Sequence, residues 1–191
     1  MSAPVTQVVV SRNRSIEIAL QIAIIVAASF FVAVCARFSL PIPGTPVPLS
    51  MQNFAVLLVG LSLGSRRGFL ALALYLVEGA AGLPVFAPIG VPGILRFAGP
   101  TAGYLIAYPF VAGLTGYIFE RGKRTFTRAF SAAIAGELLL FVCGISWLYI
   151  LTHSFARAIA FGLYWFIFAE VVKVMFAAGI ATTWRRFVPT N

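Results

Sequence analysis

Four side chains sit where charge is expensive: Glu78, Glu137, Glu170 and Lys173 all fall inside long apolar runs. An ionisable group at membrane depth costs a few kcal/mol and usually faces a cavity, a partner or a transported species. Glu170 and Lys173 are three apart, so they share one helical face. Two chemistries fit that spacing. The pair either closes on itself, or Lys173 closes on Glu137, to pin helices together. Alternatively the carboxylate accepts N–H bonds from a polar ligand while the ammonium meets a ligand anion. Arg96, in a loop outside the runs, is a second candidate for the anion. No nucleophile–base pair accompanies them: the chain has one histidine, His153, and no aspartate. Cys35 and Cys143 lie inside apolar runs and read as small core residues rather than a disulfide or metal pair. No enzyme activity, no metal site and no cofactor is expected.

The elements that carry these residues follow from composition. Of 191 residues, 61% are hydrophobic and 10% charged, too apolar for a water-soluble fold to hide. Apolar segments near the length of a membrane crossing run over 18–36, 49–63, 69–81, 101–119, 129–151 and 158–184. The second and third are barely long enough. If the last is one helix, Glu170 lies roughly 18 Å below its outer start, near mid-membrane. The expectation is an all-α membrane protein of six transmembrane helices. It forms one integral membrane domain over 1–191, with a cytoplasmic segment at about 1–15 and the bundle over 16–186. No cleavable signal pattern is expected at the N-terminus.

Basic residues orient the bundle. With the N-terminus inside, the inner segments hold ten: Arg12, Arg14, Arg66, Arg67, Arg121, Lys123, Arg124, Arg128, Arg185 and Arg186. The outer segments hold three, Arg37, Arg96 and Arg157. That bias places both termini in the cytoplasm. It also explains the net charge of +9 without nucleic acid as a partner, since the cations cluster between apolar runs.

Two outer loops stand out. Residues 39–48 carry Pro41, Pro43, Pro46 and Pro48; residues 82–100 carry Pro84, Pro88, Pro92 and Pro100 with four glycines. Neither can form a regular helix. Irregular backbone at membrane depth survives only where protein or a cavity covers it. These loops are therefore candidates for a lid or wall over a ligand pocket, the alternative being ordinary ordered surface loops. In the first crossing, Ala19, Ala23 and Ala27 make a small-residue stripe suited to close approach by another membrane helix.

Several short motifs in order resemble the BioY family. They are PGTPVPLSMQ at 43–52, FAVLLVG at 54–60, RRG at 66–68, LYLVEG at 74–79, GLPVFA at 82–87 and GPTAGY at 99–104. The resemblance covers 43–104 almost continuously and extends to the acid and lysine three apart in the last crossing. Three departures are visible. The family's acid there is Asp where this chain has Glu170, the prolines and glycine often seen just before it are absent, with Trp165, Phe168 and Ala169 in this chain, and Ala102 replaces a glycine of the Gly-Pro-Thr run. The resemblance implies an S component of an energy-coupling-factor transporter, with six helices and long outer loops after helices 1 and 3. Its implied ligand is biotin, bound from the outer face. It also implies a transmembrane coupling subunit and paired ATPases as partners, docked on the Ala19, Ala23 and Ala27 stripe. On that reading Glu170 takes the ureido N–H groups, and Lys173 or Arg96 the tail carboxylate. Gly44, Thr45 and Gln52 build the pocket, Phe86 and Tyr104 wall it, and Glu78 contacts ligand or holds a loop. The competing readings are an S component for another vitamin or heterocycle, and a structural membrane protein that uses Glu170 and Lys173 only as an ion pair.

Overall fold

The computed structural model describes residues 14–187. Arg12 and nearly all of the N-terminal segment lie outside that range. Helix α1 (Arg14–Arg37) leads into a short antiparallel hairpin, β1 (Ser39–Leu40) with β2 (Leu49–Ser50), Ser39 opposite Ser50. Helices α2 (Gln52–Leu63) and α3 (Ser65–Ala80) follow, then a 3-10 helix (Gly93–Ala98). Helices α4 (Ala102–Glu120), α5 (Phe126–Thr152) and α6 (Phe155–Ile159), a π-helical turn (Ala160–Tyr164) and α7 (Ile167–Phe187) complete the chain.

Local chemistry sets most boundaries. The prolines of 41–48 keep the chain extended between the two hairpin strands. Gly64, at φ 83°, reverses the chain between α2 and α3, and its N–H caps Gly60 O at 3.0 Å. Thr125 starts α5 by accepting the Arg128 backbone N–H at 3.3 Å. His153 ends it in the left-handed conformation, φ 49°.

Helix α4 is the hub, packed on α2, α3 and α5, while α7 closes against α2 and α5. Close approach is built into the hub: a Cβ on Gly60 would stand 2.6 Å from the Ala112 carbonyl oxygen. Helix α1 stands at the edge, against α3 and α2. Its Ala19, Ala23 and Ala27 are all exposed. So are many large apolar side chains around the molecule, among them Phe30, Phe110 and Phe155, with Phe168 84% exposed. Water does not tolerate such a surface and lipid does. The chain is a multi-pass membrane protein.

Two expectations need correction. Leu49 and Ser50 belong to the hairpin, not to the second apolar helix, which starts at Gln52. The last crossing is not one helix: α6 and its π-turn meet α7 at a bend of 45°. Side chains from elsewhere compensate the break. Thr45 Oγ1 donates to Phe161 O at 2.7 Å, and the Tyr104 hydroxyl donates to Gly162 O at 3.0 Å. Backbone that leaves the regular ladder in an apolar surround needs such partners. By length and apolarity α1, α4 and α5 each suffice to cross a bilayer, and the bent α6–α7 pair makes a fourth. Helices α2 and α3, with 12 and 16 residues, reach about 18 and 24 Å.

Candidate functional site

The site forms where α2, α4 and α7 converge under the two proline-rich loops. The hairpin brings Ser50 to α7, and α2 begins there with Gln52 and Asn53. Lys173 Nζ donates to Glu170 Oε1 at 2.7 Å and to Ser50 O at 2.6 Å. Asn53 Nδ2 donates to the same Glu170 oxygen at 3.3 Å, and the Tyr108 hydroxyl donates to Asn53 Oδ1 at 2.9 Å. Glu170 and Lys173 are both buried. They therefore form a paired, hydrogen-bonded charge couple inside the bundle, the arrangement a buried charge requires.

Beside this couple lies a cavity of about 40 Å³. Gln52, Asn53, Arg96, Tyr104, Tyr108 and Glu170 line it, with Pro48 and Ala87 contributed by the two loops. Two of these lining residues keep a polar atom unsatisfied: among the described residues Glu170 Oε2 and Arg96 Nε are buried without a hydrogen-bond partner. Arg96 is held in the 3-10 helix of the second loop and is 5% exposed. Burial pulls its guanidinium below the ordinary value, against the Tyr75 and Tyr108 phenols. An arginine so shifted still carries its charge at any physiological pH. The cavity thus presents a carboxylate oxygen and a guanidinium, with Tyr104 and Phe166 among its ring-bearing walls. It can hold a guest that donates N–H at one point and bears an anion at another.

The expected residues separate into two groups. Glu170, Arg96, Gln52 and Tyr104 line the cavity, and Lys173 meets it through Glu170. Gln52 is oriented by donating to the Tyr75 hydroxyl at 2.7 Å, which in turn donates to Val85 O at 3.1 Å in the second loop. Thr45 ties the first loop to the π-turn. Gly44, at φ 89°, shapes that loop and is not in the wall. Phe86 packs edge-on between Tyr75 and Phe97, at 5.4 and 5.8 Å between ring centres, and anchors the second loop from behind. Glu78 accepts from Ser29 Oγ, joining α3 to α1 away from the cavity. Asn53 and Tyr108, which complete the Glu170 network, were not singled out from the sequence. An asparagine inside an apolar run was the available signal for the first. A tyrosine among many aromatic residues gave none for the second.

Comparison with known proteins gives the family and the fold. The BioY family model matches residues 7–190. A BioY protein of Pyrococcus horikoshii is 40% identical over 139 residues, 71% of this chain and 79% of its own. A protein of Thermotoga maritima named biotin transporter BioY is 36% identical over 140 residues, 73% of this chain and 82% of its own. A crystal structure of the S-component for biotin from an ECF-type ABC transporter superposes with a TM-score of 0.81. That match covers 92% of this chain and 95% of the other at 21% identity, and establishes the shared fold.

Proposed function

The chain belongs to the BioY family, and from that premise we propose that it captures biotin as the substrate-binding subunit of an energy-coupling-factor transporter. The observation that carries this reading is one cavity lined by both Glu170 and Arg96, each of which has a buried polar atom, Oε2 and Nε, without a partner among the described residues. Biotin has two ureido N–H donors at one end and a carboxylate at the other. Glu170 accepts the N–H groups, and Arg96 takes the carboxylate. Lys173 is already committed to Glu170 and Ser50. Its role is to hold Glu170 in place, so Arg96 rather than Lys173 is the anion partner. Tyr104 and Gln52 bound the ring, while Thr45, Gly44 and Phe86 hold the loops that cover it. Glu78 fastens α3 to α1 and takes no part in contact.

A cavity of about 40 Å³ holds a water molecule or two, whereas small-molecule sites run to about 300–1,000 Å³. Entry of biotin therefore requires the loops at 39–50 and 81–100 to swing outward. The reading takes the bundle as six crossings with cytoplasmic termini; the short α2 and α3 cross with the hairpin and the second loop completing the outer side. Ala19, Ala23 and Ala27 offer an exposed smooth stripe for a transmembrane coupling subunit, with ATPase subunits beyond it. The subunit itself binds and releases, and performs no bond chemistry.

Binding of radiolabelled biotin, thiamine and riboflavin to the purified protein tests the substrate. Saturable binding of biotin alone is expected. Binding of another vitamin in its place would reassign the ligand, and binding of none would remove the transport reading.

A further inference from the structure

One buried acid has no role in the ligand contacts just described. Glu137 lies on α5, 5% exposed, and both its carboxyl oxygens lack a hydrogen-bond partner among the described residues. It faces the Glu170–Lys173 couple across the α5–α7 contact. The other titratable groups around it are Tyr104 and Tyr108, from α4. Helix α2 brings Asn53 and no charge, and Arg157 of α6 is exposed. The α5–α7 contact thus holds two carboxyl groups and a single ammonium; Arg96, the other buried cation, stands in the 3-10 helix of the second loop and is not among the charges acting on Glu137. Were both acids ionised, one negative charge would stay buried and uncompensated, which an apolar interior penalises heavily. The free Glu170 Oε2 offers an acceptor beside the free Glu137 oxygens.

We infer that Glu137 carries a proton that it donates to Glu170, making it a positioning residue whose proton is linked to ligand capture. Glu170, held by Lys173 and Asn53 on Oε1 and by Glu137 on Oε2, keeps its negative charge and its aim. A ligand N–H then shares the Oε2 edge. When alkaline solution removes the Glu137 proton, a second negative charge appears behind Glu170 while the ligand brings its own carboxylate. Capture weakens for electrostatic reasons.

The inference rests on the biotin reading for its ligand, but the proton itself can be read without ligand. Infrared spectroscopy of the purified, ligand-free protein near neutral pH should show a protonated-carboxyl C=O stretch that Glu137→Gln removes. Its absence in the wild type, or its persistence in the variant, overturns the inference. Biotin affinity measured across pH gives the second readout. For the wild type the dissociation constant should rise with pH by at most about tenfold per unit, the limit for one linked proton. Glu137→Gln, which still donates to Glu170 but cannot ionise, should bind with a flat profile in that range. Glu137→Leu, lacking the donor, should bind more weakly than Glu137→Gln. Equal slopes in wild type and Glu137→Gln would contradict the linkage. A wild type that shows the band yet binds no biotin would remove the ligand reading and leave the proton site standing.

Discussion

The turn between α2 and α3 and the pocket between α2, α4 and α7 treat buried atoms differently. Near the turn the backbones touch: a Cβ on Gly60 would collide with the Ala112 carbonyl, and Gly68 packs closely on Gly60. At the pocket, charged groups are buried with atoms left over, Glu170 Oε2 and Arg96 Nε, whereas the end of α4 towards the turn strands one hydroxyl, Thr115 Oγ1. An apolar fold gains nothing from stranded polar atoms, which cost about 1–3 kcal/mol each. The turn is thus built for a fixed frame, and the pocket tolerates a deficit of charged groups that a guest relieves. Stability and binding should therefore respond to different residues.

The sharpest break in that division is Gly60→Val. Its side chain meets the Ala112 backbone, which cannot give way locally, so a loss of about 3 kcal/mol or more in stability is expected. A thermal melt followed by size-exclusion chromatography in detergent would register it. At the other pole, Glu170→Gln should cost about 2–3 kcal/mol in biotin affinity, the scale of a hydrogen bond to a charged group. Titration calorimetry would show this with the folded yield retained. Arg96→Ala should cost about 2 kcal/mol for biotin and far less for biotinamide, which lacks the carboxylate. Equal losses for the two ligands would move the anion site elsewhere. The smallest effect belongs to Ser29→Ala, which removes the hydrogen bond to Glu78 between α1 and α3. About 1 kcal/mol of stability should go, with biotin affinity unchanged.

Much of the frame was legible because apolar runs ended at strong punctuation. The expected 101–119 and the observed Ala102–Glu120 differ by one residue at each end, since Pro100 and the basic group after Glu120 bracket the run. The break in the last crossing was not legible. No proline marks it, and what allows it, donation from Thr45 and Tyr104 to carbonyls at Phe161 and Gly162, comes from residues 116 and 58 positions away. The hairpin escaped for the same reason, because two residues on each side pair only once the proline loop has turned. Within the site, spacing alone put Glu170 and Lys173 on one face, and they do bond directly. Whether Glu137 joined them depended on how α5 rotates against α7, which helical periodicity does not specify. Glu78 had the same marking as a charge within an apolar run, yet packing turned it towards Ser29 on α1.

A crystal or cryo-electron-microscopy structure of the protein with biotin tests the site most directly. The ureido ring should lie against Glu170 and Asn53, and the carboxylate against Arg96, with the proline-rich loops closed above. Biotin bound with its carboxylate on Lys173, or outside the space between α2, α4 and α7, would contradict the account.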